Sequence, residues 1–238
     1  MKQVNQIEAM KKHKTSDGFT LLEILIAIFI FSIIATTIFG SFSAVFSSAD
    51  SINEGIDDYE MGKNCLSRML LDLQSVYIIL GPEYVKPTAG TDSKPGLYRM
   101  VGDTSNGFPR LRFTSRAHVF SEKDLREGIA EVVYYVQMTK EEHYVLRRAD
   151  SLYPYERYDG KVFEEKFTDP ALCEKIRSLE FKYYDAEETE YDYWDSESEE
   201  FKYSTPRAIR IKLEFGEESS VLAFETMVAF QAYREKVE

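Results

Sequence analysis

The residue block Phe19–Gly40 constrains the fold of this chain more than any other part of its sequence. It reads FTLLEILIAIFIFSIIATTIFG, in which 16 of 22 residues are apolar and Glu23 is the one charged side chain. As an α-helix the block would be about 33 Å long, and a bilayer core is about 30 Å thick. A helix of this length that is apolar on every side is typical of a membrane span. The sequence therefore predicts a transmembrane helix over residues 19–40, rather than a buried helix of a soluble protein.

The charges on either side of this block predict its orientation. The basic residues before it are Lys2, Lys11, Lys12 and Lys14. The acidic residues after it are Asp50, Glu54, Asp57, Asp58 and Glu60, and no basic residue follows the block until Lys63. Because basic residues are retained on the cytoplasmic side of a membrane, we expect the N-terminus in the cytoplasm and the rest of the chain outside.

An ordinary secretory signal peptide is the alternative interpretation of the same block. Ser47-Ser48-Ala49 would then serve as the small-residue cleavage site. However, the apolar run exceeds the usual length of about 7–15 residues. It also contains Glu23, and an ionisable residue in hydrocarbon is costly enough to indicate a function. Both features favour a retained anchor.

The junction Gly18-Phe19-Thr20-Leu21-Leu22-Glu23 resembles the processing site of type IV pilins and type II secretion pseudopilins. In that family the prepilin peptidase cuts after the glycine and methylates the new N-terminal residue, and a glutamate is fifth in the mature chain. The resemblance implies that residues 1–18 are a removed leader, that Phe19 becomes N-methylated, and that Glu23 acts in assembly within the membrane. It also implies a bacterial inner-membrane protein with a periplasmic domain.

The carboxylate of Glu23 needs a partner if it enters the membrane. A charge at the centre of a membrane helix costs about 2.5–3.5 kcal/mol. An opposite charge at about 4 Å returns roughly 4 kcal/mol at an effective dielectric constant of 20. We therefore expect Glu23 to pair with the α-amine of a neighbouring subunit, which would favour side-by-side assembly. The alternative is a carboxylate that is simply hydrated near the membrane surface.

The helical pattern continues beyond the membrane segment. Apolar residues recur at steps of three and four and predict one continuous helix from about Phe19 to Leu80, which Gly81-Pro82 ends. The part after the span, residues 41–80, is amphipathic. Its apolar stripe is more typical of a face against the protein's own sheet than of a coiled-coil seam. The stripe consists of Phe42, Val45, Phe46, Ala49, Ile52, Ile56, Tyr59, Leu66, Met69, Leu70, Leu73 and Tyr77.

The remaining residues, 81–238, predict a β-rich domain. Prolines and glycines in 83–109 indicate an irregular loop with one strand at Leu97–Val101. Apolar side chains then alternate with polar ones in a run of predicted strands. These lie at 110–114, 131–138, 144–146, 179–184, 209–215 and 222–230. A helix followed by antiparallel strands is an α+β chain. The resemblance implies a pilin-like fold, with the long N-terminal helix packed on antiparallel β-sheet.

The strand region resembles that of the J-type minor pseudopilin of type II secretion. The matching segments are Val132-Val-Tyr-Tyr-Val136, Leu146-Arg-Arg148, Ile176-Arg-Ser-Leu-Glu-Phe-Lys-Tyr-Tyr-Asp185, Trp194 and Pro206-Arg-Ala-Ile-Arg-Ile211. This resemblance implies a structural role at the pseudopilus tip in the export of folded proteins. The implied partners are the I-type and K-type minor pseudopilins, the major pseudopilin and the prepilin peptidase. Glu23 argues against the K-type, which usually lacks it. A W-like minor pilin of a type IV pilus or competence system is the alternative.

Other classes of protein are disfavoured by charge and by motifs. A net charge of −12 argues against nucleic acid as a partner. The sequence contains no H-E-x-x-H, G-x-S-x-G, Walker or dinucleotide fingerprint. We therefore expect no catalytic residue, no cofactor and no metal, with a membrane-tethered extracytoplasmic enzyme as the remote alternative.

The acidic segment 185–200 predicts a solvated loop, with a calcium site as the alternative. Cys65 and Cys173 are predicted to be buried free thiols, although an oxidising compartment would permit a bridge.

Overall fold

The structure is a computed structural model that describes residues 19–80, 83–86, 99–105, 107–119, 127–153, 163–217 and 220–237. Over these residues the chain forms one long helix followed by ten strands. The predicted α+β class is therefore confirmed. The chain divides into two units, Met1–Asn53 and Glu54–Glu238.

Helix α1 spans Leu21–Gln74. It is the one helix in the described part of the chain that is long and apolar enough to cross a membrane. Its large apolar side chains from Leu21 to Phe46 are exposed. Such a surface is costly in water, at roughly 25 cal/mol per Å² of apolar area. This part of α1 therefore has the chemistry of a single-pass anchor.

The end of α1 differs from the predicted end at Leu80. The helix stops at Gln74, and Val76 forms an antiparallel bridge with Ser115 of a neighbouring strand. The Ser115 hydroxyl also donates to the carbonyl oxygen of Asp72 at 2.9 Å, which satisfies a group that the end of the helix leaves open. Bridge pairing replaces helical hydrogen bonds here, and side-chain spacing alone does not distinguish the two. The predicted stop at Gly81-Pro82 lies outside the described residues.

The strands form two antiparallel sheets. Their bounds are β1 Met100–Ser105, β2 Phe108–Ser115, β3 Ala130–Met138, β4 Tyr144–Leu152, β5 Ala171–Cys173, β6 Ile176–Tyr184, β7 Glu190–Tyr191, β8 Trp194–Asp195, β9 Ala208–Glu217 and β10 Ser220–Ala229. Over the described residues, the larger sheet has the order β5-β4-β3-β2-β1-β8 and the smaller has the order β10-β9-β6-β7. The predicted hairpin around residues 140–142 is confirmed, because Met138 pairs with Tyr144.

In the described part of the segment 83–109, residues 99–105 and 107–109 are more regular than predicted, while Leu97 of the predicted strand lies outside the described residues. They contain β1 and the start of β2, whereas the expected strand was Leu97–Val101. Across β1 and β2, the guanidinium of Arg110 donates to both carboxylate oxygens of Asp103, at 2.9 and 2.6 Å. Gly102 and Asp103 at the centre of β1 are residue types that are depleted in strands. This cross-strand pair supplies an interaction that the local pattern does not reveal.

The core of the Glu54–Glu238 unit lies between α1 and the inner faces of both sheets. The helix contributes four buried residues, namely Cys65, Leu66, Met69 and Leu73. The predicted stripe is only partly covered, since Ile56 and Tyr59 remain 50% and 52% exposed. At Gly62 the rings of Phe215 and Phe224 approach so closely that a Cβ atom would overlap them. The stripe prediction is therefore correct for the last turns of α1 and partly correct at Tyr59, whose half-exposed ring has its centroid 5.5 Å from that of Phe224.

A buried ionic cluster joins α1 to β3 and β4. Asp72 is completely buried. Its carboxylate accepts hydrogen bonds from Nε and Nη2 of Arg148 at 2.6 and 3.2 Å, from Nη2 of Arg68 at 2.6 Å, and from the hydroxyl of Tyr134. Arg148 also donates to Asp150 at 2.7 Å. Two guanidinium groups thus face two carboxylates, which is the pairing that buried charges require.

Candidate functional site

The predicted processing and assembly residues lie at the start of α1. Gly18 is outside the described residues. Phe19 and Thr20 precede the first helical residue, Leu21, and the Phe19 side chain is 84% exposed. The junction that the sequence singles out therefore coincides with the boundary between non-helical and helical backbone.

Thr20 and Glu23 form a reciprocal cap on the first turn of α1. The Glu23 N–H donates to Thr20 Oγ1 at 3.3 Å. In return, the Thr20 N–H and hydroxyl donate to Glu23 Oε2 at 2.9 and 3.1 Å. This is the capping-box arrangement, in which two side chains satisfy backbone donors that the helix leaves unpaired. The cap fixes the position at which the helix begins.

The cap gives Glu23 a hydrogen-bond partner that the sequence analysis did not predict. Sequence reasoning weighed a neighbour's amine and plain hydration, and it missed Thr20 as a partner. The signal was present, since Thr-x-x-Glu before an apolar run is the sequence form of a capping box. Both bonds from Thr20 end on Oε2. Within the described residues Oε1 accepts no hydrogen bond, so it is able to take a donor from another chain.

The hydroxyl groups along the apolar part of α1 are satisfied within the helix. Ser32, Thr36, Thr37 and Ser41 donate to carbonyl oxygens three or four residues earlier, at 2.7 to 2.9 Å. Such bonds leave no hydroxyl donor to be buried unpaired in hydrocarbon. The polar residues of this segment are therefore compatible with a membrane span.

Comparison with known families bears on this same segment. Residues 13–39 match the family model described as the prokaryotic N-terminal methylation motif. The chain carries a type IV pilin-like prepilin signal. Such a signal implies processing by a prepilin peptidase and partners in a pilus or pseudopilus. No curated protein matches the chain.

The acidic segment 185–200 contains more structure than the predicted loop. Asp185 is buried, and its carboxylate accepts hydrogen bonds from the N–H of Thr189 at 2.8 Å and the hydroxyl of Tyr191 at 3.0 Å. Trp194 is buried in β8. Among the described residues, no three His, Cys, Asp or Glu side chains are grouped so as to hold a metal ion. Asp185 instead orders the turn between β6 and β7.

Cys65 and Cys173 are both buried and free in the structure, as expected from the sequence. A hydrogen bond with Cys173, together with burial, raises the pKa of the Cys65 thiol far above its usual range. Because the thiolate is the reactive form of cysteine, Cys65 has the character of an inert core side chain.

Proposed function

We propose that this chain is a minor pseudopilin of a type II secretion system, a structural component of the pseudopilus tip that supports export of folded proteins across the outer membrane. The observation that carries the proposal is the prepilin signal at residues 13–39, followed by an apolar helix and a β-rich domain. In this proposal the chain is not an enzyme. It is a substrate of the prepilin peptidase, which removes residues 1–18.

The proposed location is the bacterial inner membrane, with a single span and a periplasmic domain. Support comes from the charge pattern, which is basic before Phe19 and acidic from Asp50 to Glu60. The apolar surface of α1 supports the anchor itself.

The J-type assignment rests on residues with defined positions in the fold. Trp194 stacks on Phe201 with ring centroids 4.0 Å apart, and its Nε1 donates to the carbonyl oxygen of Ser204 at 3.2 Å. Arg148, from the Leu-x-Arg segment, holds β4 to Asp72 of α1. These residues of the J-type pattern thus make contacts that hold the domain together, which supports a domain architecture shared with the J-type pseudopilins. The partners would be the I-type and K-type minor pseudopilins and the major pseudopilin.

A W-like minor pilin of a type IV pilus or competence system is the second candidate, because the prepilin signal is common to both assemblies. Deleting the gene separates them. Loss of export of folded proteins, with surface pili and DNA uptake intact, supports the pseudopilin. The opposite result supports the pilin.

Sequencing of the mature N-terminus tests the proposal most directly. The expected first residue is N-methylated Phe19. A mature chain that begins at Asp50 would identify an ordinary signal peptide and would refute the proposal. Replacing Gly18 with tryptophan should block cleavage, whereas the same replacement at Ser16, away from the junction, should leave it intact.

A further inference from the structure

The edges of the two sheets differ sharply in length. Three edge strands are short: β5 has three residues, and β7 and β8 have two each. The fourth edge strand, β10, has ten residues. Short edge strands are one way in which proteins prevent pairing with other chains. Within the described residues, β10 is the edge on which this protection is absent.

The sequence of β10 lacks the other usual protections as well. The strand reads SVLAFETMVA, which contains no proline and no lysine, and Glu225 is its one charged residue. Its pairing with β9 is continuous from Ser220 to Ala229, without the register shift seen between β6 and β9. A long, regular and largely apolar edge strand is a template for another strand.

The backbone groups that face outward from β10 follow from its pairing with β9. The Phe230 N–H donates to the Arg207 carbonyl oxygen at 2.8 Å, which continues the register of Ala229 with Ala208. Because bonding alternates along an antiparallel pair, the even-numbered residues of β10 bond to β9 and the odd-numbered residues face away. The outward residues are Val221, Ala223, Glu225, Met227 and Ala229. Their backbone N–H and C=O groups bond to no described residue.

The outward residues are also the ones with exposed side chains. Val221 and Met227 are 46% and 53% exposed, while Leu222 and Phe224 pack on the core. The edge thus offers a row of unpaired backbone groups beside apolar side chains, with one carboxylate at its centre, that of Glu225, which is more than half exposed and has, among the described residues, a single long ion pair of 3.8 Å to Nε of Arg210.

A second copy of this chain is a poor occupant of that edge. Antiparallel pairing of β10 with itself over its full outward length sets Val221 against Ala229. The same register places Glu225 directly opposite Glu225 of the copy, and like charges in that position are destabilising. An occupant with a lysine or arginine opposite Glu225 and apolar residues on either side would pair without this penalty.

We infer that β10 is a docking edge at which a different pilin-like subunit adds an antiparallel strand, with a basic residue opposite Glu225. The inference rests on the proposed function, which supplies neighbouring subunits. It goes further by naming the surface and the mode of binding, which is strand addition through backbone hydrogen bonds.

Photo-cross-linking of the full-length chain in the membranes of its own cell tests this inference. One variant carries p-benzoylphenylalanine at Met227 on the docking edge, and a second carries it at Phe42 on α1, which is 57% exposed. We expect adducts from both variants. Mass spectrometry should assign the Met227 adduct to a strand segment of another protein that carries its own prepilin signal.

The outcomes of this experiment separate the two proposals. An adduct at Phe42 without one at Met227 would mean that the chain assembles with its edge free, which overturns the docking edge alone. An adduct of Met227 with a second copy would overturn the choice of occupant. The absence of both adducts would count against the proposed function and against this inference with it.

A proline variant tests whether backbone pairing is the mode of binding. Ala223→Pro removes an outward N–H, so it breaks no bond to β9 and should leave the thermal midpoint within about 4 °C of the parent. The Met227 adduct should fall about tenfold. Ala223→Ser, which retains the N–H, should leave the adduct unchanged. Equal adduct yields from the two variants would contradict strand addition.

Discussion

Replacing Asp72 with asparagine should destabilise the Glu54–Glu238 unit more than any conservative surface substitution. The carboxylate is fully buried and binds Arg148 through two nitrogens. Removing its charge leaves the Arg148 guanidinium, whose side chain is 3% exposed, with Asp150 as its remaining anionic partner. An amide also keeps fewer acceptor positions for Arg68 and Tyr134.

The magnitude follows from the cost of an uncompensated buried charge. Breaking a buried ion pair by removing one partner costs about 3–5 kcal/mol. Because Arg148 retains Asp150, we expect the lower end of this range, about 3 kcal/mol. Domains of this kind have total stabilities of about 5–15 kcal/mol, so the variant should still fold. With a urea slope of about 2 kcal/mol per M, the unfolding midpoint should fall by about 1.5 M.

Urea unfolding of a soluble form that begins at Phe42 provides the assay, since the core residues all lie beyond that point. Asp57→Asn, an exposed position on the same helix, is the matched control and should change stability by less than about 0.5 kcal/mol. Replacing Asp72 and Arg148 together with methionine should recover part of the loss, because the buried Arg148 guanidinium is then absent, while Arg68 keeps the Ala117 carbonyl oxygen and Asp150 keeps His118. Equal midpoints for Asp72→Asn and Asp57→Asn would refute the reasoning.

Four further substitutions have defined outcomes. Glu23→Gln retains a capping acceptor but no charge, so insertion and cleavage should persist while cross-linking to neighbouring subunits falls about tenfold; undiminished cross-linking with normal secretion would disprove the pairing. Gly62→Ala should lower the free energy of unfolding in urea by about 1–2 kcal/mol, because overpacking against Phe215 outweighs the gain in helix propensity. Gly55→Ala, in open space, should instead stabilise by up to about 1 kcal/mol. Burial raises the pKa of Glu131, so the folded chain holds the carboxyl proton of Glu131 more tightly than the unfolded chain does. Ionisation of this carboxyl at higher pH therefore lowers the free energy of unfolding. Glu131→Gln should therefore raise the midpoint at about pH 8 and lose this advantage below the ordinary pKa of 4.5; an advantage that grows in acid would contradict the assignment.

The elements with strong periodic patterns could be predicted from the sequence. The hairpin of β3 and β4, strand β6, and the pair β9 and β10 all appear where apolar and polar residues alternate. The apolar helix could also be predicted, because an apolar run of about 20 residues is long enough to span a membrane as a helix. The local pattern of apolar and polar residues is sufficient to predict an element whose buried and exposed faces follow its own periodicity.

The features that escaped prediction depend on residues distant in the chain. The partnership of Asp72 with Arg148 spans 76 positions, and the end of α1 depends on a bridge to Ser115. Strand β1 carries Gly102 and Asp103 at its centre, and it pairs along its whole length with β2. The Thr20–Glu23 cap is the exception, since it is local and could have been predicted from Thr-x-x-Glu before the apolar run.

The position of that cap has a consequence for maturation. In the described residues, helical hydrogen bonding begins at the Thr20 carbonyl oxygen, which accepts from the N–H groups of Glu23 and Ile24, so the predicted scissile bond before Phe19 precedes the first helical bond. A protease that reads its substrate as an unwound chain could therefore remove residues 1–18 without melting any turn of α1. The donors that stabilise the first turn belong to Thr20 and Glu23, and both residues would remain after a cut before Phe19. Precursor and product would share the same helix start, and the membrane anchor would need no refolding after cleavage.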